Sequence, residues 1–121
     1  MGRVVFVEDD PQVRKLVQAA LRTTPHEVQI ATNGREGLEL VRRVRPHVVF
    51  TDVSMPEMDG VQLADAIRAD PELATTPIVF ITASVQKEQI ARYMAHGASG
   101  YLAKPFSTKA LRDEIARLVP A

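Results

Sequence analysis

Apolar positions along the chain follow two rhythms. Val4-Val5-Phe6-Val7, Val48-Val49-Phe50 and Ile78-Val79-Phe80-Ile81 are short unbroken runs, the pattern of strands covered on both faces. His26-Glu27-Val28-Gln29-Ile30-Ala31 alternates polar and apolar, which predicts one solvated face and so a sheet edge. Gly100-Tyr101-Leu102-Ala103 is short and weakly apolar and predicts the other edge. Between these runs apolar residues recur at helical spacing: Val13, Leu16, Val17, Ala20 and Leu21; Leu38, Val41 and Val44; Val61, Ala64 and Ile67. The same spacing returns at Ile90 and Met94, within a helix expected over 86–96, and at Leu111, Ile115, Leu118 and Val119. Asp10-Pro11 predicts a helix start, with Asp as N-cap and Pro at the first helical position. Thr23-Thr24-Pro25, Pro46 and Asp70-Pro71 close the first three helices. Gly97 closes the fourth, and Ser107 or Thr108 caps the last.

Strict alternation of strand and helix, five times over, predicts a parallel sheet with helices on both faces. Right-handed crossovers leave few topologies. With the second and fifth strands at the edges, the order is 2-1-3-4-5: an α/β, (βα)5 doubly wound, flavodoxin-like three-layer sandwich. The chain reverses across the sheet between the first and third strands. A ligand crevice is expected at their C-terminal ends, where Glu8, Asp9 and Asp52 lie.

Composition narrows the classes. The 121 residues suit a single domain, 1–121, without linker or repeat. Lys+Arg and Asp+Glu both total 15, so no overall field favours nucleic acid or an anionic membrane. The absence of cysteine excludes disulfides, thiolate nucleophiles and cysteine-based zinc sites. No apolar run approaches the ~20 residues that span a bilayer. Val4-Val5-Phe6-Val7 is too short for a signal peptide, and Phe6 stands where a myristoylation motif wants Ser or Thr. The expected location is cytoplasmic.

Carboxylates meeting at one crevice repel unless a cation neutralises them, and oxygen donors without His or Cys suit Mg²⁺. Each residue also has a plainer reading. Asp10 is a helix cap, Glu8 and Asp9 are polar loop residues, Asp52 is an Asx-turn residue, and Asp59-Gly60 is a turn or helix N-terminus. Thr82 is a hydroxyl satisfying a local turn and Lys104 a solvated lysine. Taken together, a carboxylate cluster, a hydroxyl and a lysine along one sheet edge suit a phosphoryl group held beside a metal.

Four blocks carry a family resemblance. They are Val7-Glu8-Asp9-Asp10 with Arg14; Asp52-Val53-Ser54-Met55-Pro56-Glu57-Met58-Asp59-Gly60; Thr82-Ala83; and Gly97-Ala98-Ser99-Gly100-Tyr101-Leu102-Ala103-Lys104-Pro105-Phe106. In this order, and at strand ends, they resemble response-regulator receiver domains of two-component signalling, the CheY-like superfamily, over essentially the whole chain. The resemblance implies that Asp52 is the phosphoacceptor, taking phosphoryl from a phosphohistidine. It implies Asp9, Asp52 and the Ser54 backbone carbonyl as direct Mg²⁺ ligands, with Glu8 acting through a water. Lys104 then contacts a phosphoryl oxygen, the bond before Pro105 is cis, and Thr82 bonds the phosphoryl group. Tyr101 matches the family's switch aromatic, which turns inward when Thr82 moves. Pro56 and Gly60 shape the loop after Asp52, with Asp59 structural.

Implied partners are a sensor histidine kinase or histidine phosphotransfer protein, and a downstream effector at the face of the fourth helix, fifth strand and fifth helix. No direct nucleic-acid or membrane binding is expected, and no enzyme activity beyond the chain's own phosphorylation and dephosphorylation. The acidic pair is Glu-Asp where some members have Asp-Asp. Ser54 and Ser84 occupy positions that tune the lifetime of the aspartyl phosphate. Ser99-Gly100 lacks the acidic pair of receivers that dimerise through the fourth and fifth helices. No effector domain follows Pro120-Ala121, so a stand-alone receiver or an N-terminal domain is expected. Three alternatives are weaker. A Mg²⁺-dependent phosphohydrolase of the haloacid-dehalogenase type needs Asp-x-Asp, where this chain has Asp52-Val53-Ser54. A flavodoxin-like cofactor protein would place Glu8-Asp9-Asp10 against a flavin phosphate. A receiver-like module working without phosphorylation does not need the intact set of Glu8, Asp9, Asp52, Thr82 and Lys104.

Overall fold

Five parallel strands form one sheet in the order β2-β1-β3-β4-β5, as the alternation predicts. The structure, a computed structural model, describes residues 2–55 and 58–119; Pro56, a loop-shaping residue in the sequence reading, lies outside them. The elements are β1 (Arg3–Val7), α1 (Pro11–Ala20), β2 (Glu27–Ala31), α2 (Gly34–Val44), β3 (Val48–Asp52), α3 (Gly60–Ala69), β4 (Ile78–Thr82), α4 (Lys87–Ala95), β5 (Gly100–Ala103) and α5 (Thr108–Leu118). Among them, no helix is long and apolar enough to cross a membrane.

Alternate side chains of β1, β3 and β4 supply two cores. Val5, Val7, Val49, Ile78 and Phe80 pack under α2, α3 and α4. Val4, Phe6, Val48, Phe50, Val79 and Ile81 pack under α1 and α5, with Phe6 and Phe50 stacked at 5.5 Å. Each side chain fully buried in this way contributes roughly 1.5–3 kcal/mol.

Helix starts follow local chemistry. Asp10 accepts from Gln12 N at 2.8 Å, Asn33 from Glu36 N at 2.9 Å and Ser107 from Ala110 N at 3.0 Å. Asp59 forms a full capping box with Gln62 at the start of α3. Gly97, at φ 85°, turns the chain out of α4. The Arg68 guanidinium ties that turn to the loop after α3, donating to Gly97 O (2.7 Å), Thr76 O (2.7 Å) and Ala74 O (3.2 Å).

Three helical positions differ from the apolar pattern. Leu16 is 48% exposed, and Leu40 is buried where Leu38 and Val44 are only partly so. On α4 the residue facing the core is Tyr93, 4% exposed, while Met94 is 45% exposed. Steps of three and four from Ile90 both fit helical spacing, so the tilt of α4 on the sheet decides between 93 and 94.

Candidate functional site

The site lies where β1 and β3 end side by side. Val7 pairs with Thr51, so the next residues of both strands, Glu8 and Asp52, emerge together at the switch point. Carboxylate oxygens of Glu8, Asp9 and Asp52 all lie within 4.8 Å of one another. Arg14, one turn into α1, shapes the loop that carries two of them. Its Nη1 donates to Asp9 O at 2.8 Å and to Glu8 O at 3.1 Å.

Asp52 is nearly buried, with both oxygens engaged. Oδ1 accepts from the Ser54 backbone N–H at 3.0 Å, and Oδ2 accepts from Lys104 Nζ at 2.5 Å. Lys104 reaches in from the end of β5, just before the cis peptide bond at Pro105. Its Nζ also lies 3.2 Å from Glu8 Oε1. Burial works to lower the Lys104 pKa, but Asp52 and Glu8 outweigh it and leave the group raised.

Glu8 is completely buried. Oε2 accepts from Asp10 N at 3.2 Å, whereas Oε1 has no hydrogen-bond partner among the described residues; the Lys104 approach meets ion-pair distance without hydrogen-bond geometry. Burial, then the neighbouring Asp52 carboxylate, push the Glu8 carboxyl up to about 7, against the pull of the Asp10 N–H and of Lys104. An orphaned buried oxygen beside two more carboxylates, without sulfur or nitrogen donors, fits a hard divalent cation.

Thr82 ends β4, where Asp52 pairs with its predecessor Ile81. Its hydroxyl is engaged with Ser84 and Tyr93. Tyr101 stands at the surface of β5, 40% exposed. Gly60 begins α3 directly against the site strand: a Cβ there would lie 2.3 Å from Asp52 O and 2.9 Å from Val53 Cα. Gly60→Ala is therefore expected to cost about 2–3 kcal/mol in urea unfolding, because the obstacle is backbone that cannot rotate away. Asp10 and Asp59 are caps and stay outside the cluster. Two contributors have little sequence signal. Arg14 stood out only through the family pattern, and Tyr93 only as a helix position three residues beyond Ile90.

The model of the response regulator receiver domain matches residues 4–116. The chain belongs to this family, and it is a receiver domain of the kind that serves two-component signalling. It is 32% identical to the chemotaxis protein CheY-3 of Vibrio cholerae, over 96% of this chain and 90% of that protein. It is 32% identical to the sensor histidine kinase TmoS of Ectopseudomonas mendocina, over 97% of this chain but only 12% of that one. The chain thus spans a small part of some relatives and nearly all of others. Among solved structures, Vibrio cholerae CheY4 superposes with a TM-score of 0.91 at 33% identity, covering 98% of both chains. The receiver domain of the Pseudomonas aeruginosa histidine kinase PA1611, with magnesium coordinated in its active-site cleft, superposes with a TM-score of 0.87 at 26% identity.

Proposed function

We propose that residues 1–121 act as one phosphoacceptor unit in which Asp52 receives a phosphoryl group from the phosphohistidine of a sensor kinase or histidine phosphotransfer protein. The observation that carries this reading is the buried Asp52 carboxylate, held by Lys104 and Ser54 N beside an acidic cluster with an orphaned oxygen. An Asp52 oxygen attacks phosphorus in line; the new P–O bond forms as the P–N bond to imidazole breaks, giving an aspartyl phosphate. Lys104 then donates to a phosphoryl oxygen, and Thr82 turns to donate a second hydrogen bond. Asp9, Asp52 and the Ser54 carbonyl would hold Mg²⁺, with Glu8 acting through a water. Bound there, Mg²⁺ would supply charge neutralisation for the transferring group. The phosphoryl oxygens carry roughly −1.5 to −2 charge in place of the carboxylate's single charge, and this change biases the surface around α4, β5 and α5, where Tyr101 acts as switch and an effector docks. The location is cytoplasmic, and the only reaction is the chain's own phosphorylation and loss of phosphoryl.

Incubation with Mg²⁺ and acetyl phosphate, followed by intact-protein mass measurement, tests the assignment. One phosphoryl group is expected, absent in Asp52→Asn and after chelation of the metal. Equal labelling of Asp52→Asn would remove Asp52 from its role.

A further inference from the structure

Thr82 is held in its present orientation by a side chain from α4. Its Oγ1 accepts from Ser84 N at 3.1 Å, donates to Ser84 O at 3.2 Å and lies 3.1 Å from the Tyr93 hydroxyl. A threonine hydroxyl has a single proton. With that proton on the Ser84 carbonyl, Tyr93 must be the donor and Thr82 the acceptor in the bond between them. Tyr93 is almost fully buried, and its ring packs on Phe80 at a centroid distance of 5.2 Å and an angle of 58°. A hydroxyl buried in such surroundings is costly to leave without a partner, and among the described residues Thr82 is the partner it has.

The position of Tyr93 matters as much as its bond. Phe80 and Thr82, two residues apart on β4, share one face of the sheet, and Phe80 pairs with Tyr101 on β5. Tyr93 rests over Phe80 and reaches Thr82. It therefore stands on the sheet face that Tyr101 on β5, the switch residue of the proposed function, shares with Phe80.

We propose that Tyr93 is the latch of that switch: its hydroxyl keeps Thr82 on the Ser84 side, and Thr82 reaches a phosphoryl group on Asp52 only by releasing Tyr93. Released, Tyr93 has to find a new partner for its hydroxyl. Its re-seating moves α4, so the helix reports phosphorylation through Tyr93. Tyr93 is a positioning residue here, acting through Thr82. The inference rests on the phosphoacceptor reading of Asp52.

The test is titration of the Mg²⁺-loaded chain with beryllium fluoride, a phosphoryl mimic, followed by NMR in the wild type, Tyr93→Phe, Thr82→Val and the double variant. Tyr93→Phe keeps the ring packing and removes the latch, so its affinity for beryllium fluoride is expected to rise about five- to tenfold. In the Thr82→Val background the same change is expected to have no effect, since the bond is already gone. The Tyr93 ring signal of the wild type, distinguished by comparison with Tyr101→Phe, is expected to shift on binding. An unchanged or weakened affinity in a folded Tyr93→Phe protein would overturn the latch, as would a Tyr93 ring signal that stays still. A wild type that does not bind beryllium fluoride, or binding that persists in Asp52→Asn, would instead overturn the phosphoacceptor reading and the latch with it.

Discussion

Lys104→Met is expected to destabilise the metal-free chain by about 2–3 kcal/mol at pH 8 and by much less at pH 5. Among the described residues, Lys104 is the cation that contacts both Asp52 and Glu8, and Glu8 is entirely buried. Removing one partner of a buried pair leaves the other charge uncompensated, and here two carboxylates are left at once. The side chain of Lys104 is partly solvated, which places the cost below the ~3–5 kcal/mol of a fully buried pair. Protonating Glu8, which titrates at about 7 with Lys104 present, relieves the repulsion in acid. Urea unfolding in chelator at the two pH values checks this. An equal loss at both would mean that Lys104 contributes packing and not charge compensation.

The second large effect belongs to Glu8 itself. Its folded pKa of about 7 stands above the unfolded value of 4.5, so between those values the folded state binds more protons than the unfolded chain. Stability of the metal-free chain therefore falls as pH rises through this window, with a slope of at most ~1.4 kcal/mol per pH unit. Glu8→Gln is expected to flatten that slope and to leave the metal-free protein more stable than wild type at pH 8. Mg²⁺ binding has the opposite dependence, because the cation displaces the Glu8 proton. Its affinity is expected to tighten by up to about tenfold per pH unit below 7 in the wild type. Calorimetry in buffers of different ionisation enthalpy counts the protons released. Close to one is expected at pH 6 and close to none at pH 8, whereas Glu8→Gln binds more weakly with little pH dependence. Proton release that persists in Glu8→Gln would assign the titration to another group.

Both effects depend on features of very different legibility. That Glu8, Asp9 and Asp52 converge could be read from the apolar runs of β1 and β3, because unbroken runs imply central strands and the switch point follows from the order. Asp10 and Asp59 could be set aside as caps on local grounds, and the structure places both there. By contrast, no pattern distinguishes the complete burial of Glu8 from the partial exposure of its neighbour Asp9, since both simply follow a strand. Tyr93 and Met94 are adjacent on α4, and both satisfy helical spacing. Leu16 fits the apolar stripe of α1 and yet faces outward.

The sequence by itself determined the alternation of elements, the strand order, the helix caps and the residue types gathered at the C-terminal edge of the sheet. These depend on periodicities of two and 3.6 residues and on side chains bonding to backbone two or three positions away. Only the tertiary structure decided which Glu8 oxygen is orphaned, that Lys104 spans two acids, that Arg14 holds the loop beneath them, and that Tyr93 engages Thr82. Those outcomes depend on burial and on distances between residues up to 96 positions apart, from Glu8 to Lys104. Desolvation and Coulomb interaction act through space, so a carboxyl pKa or a latch exists only once the chain has closed around it.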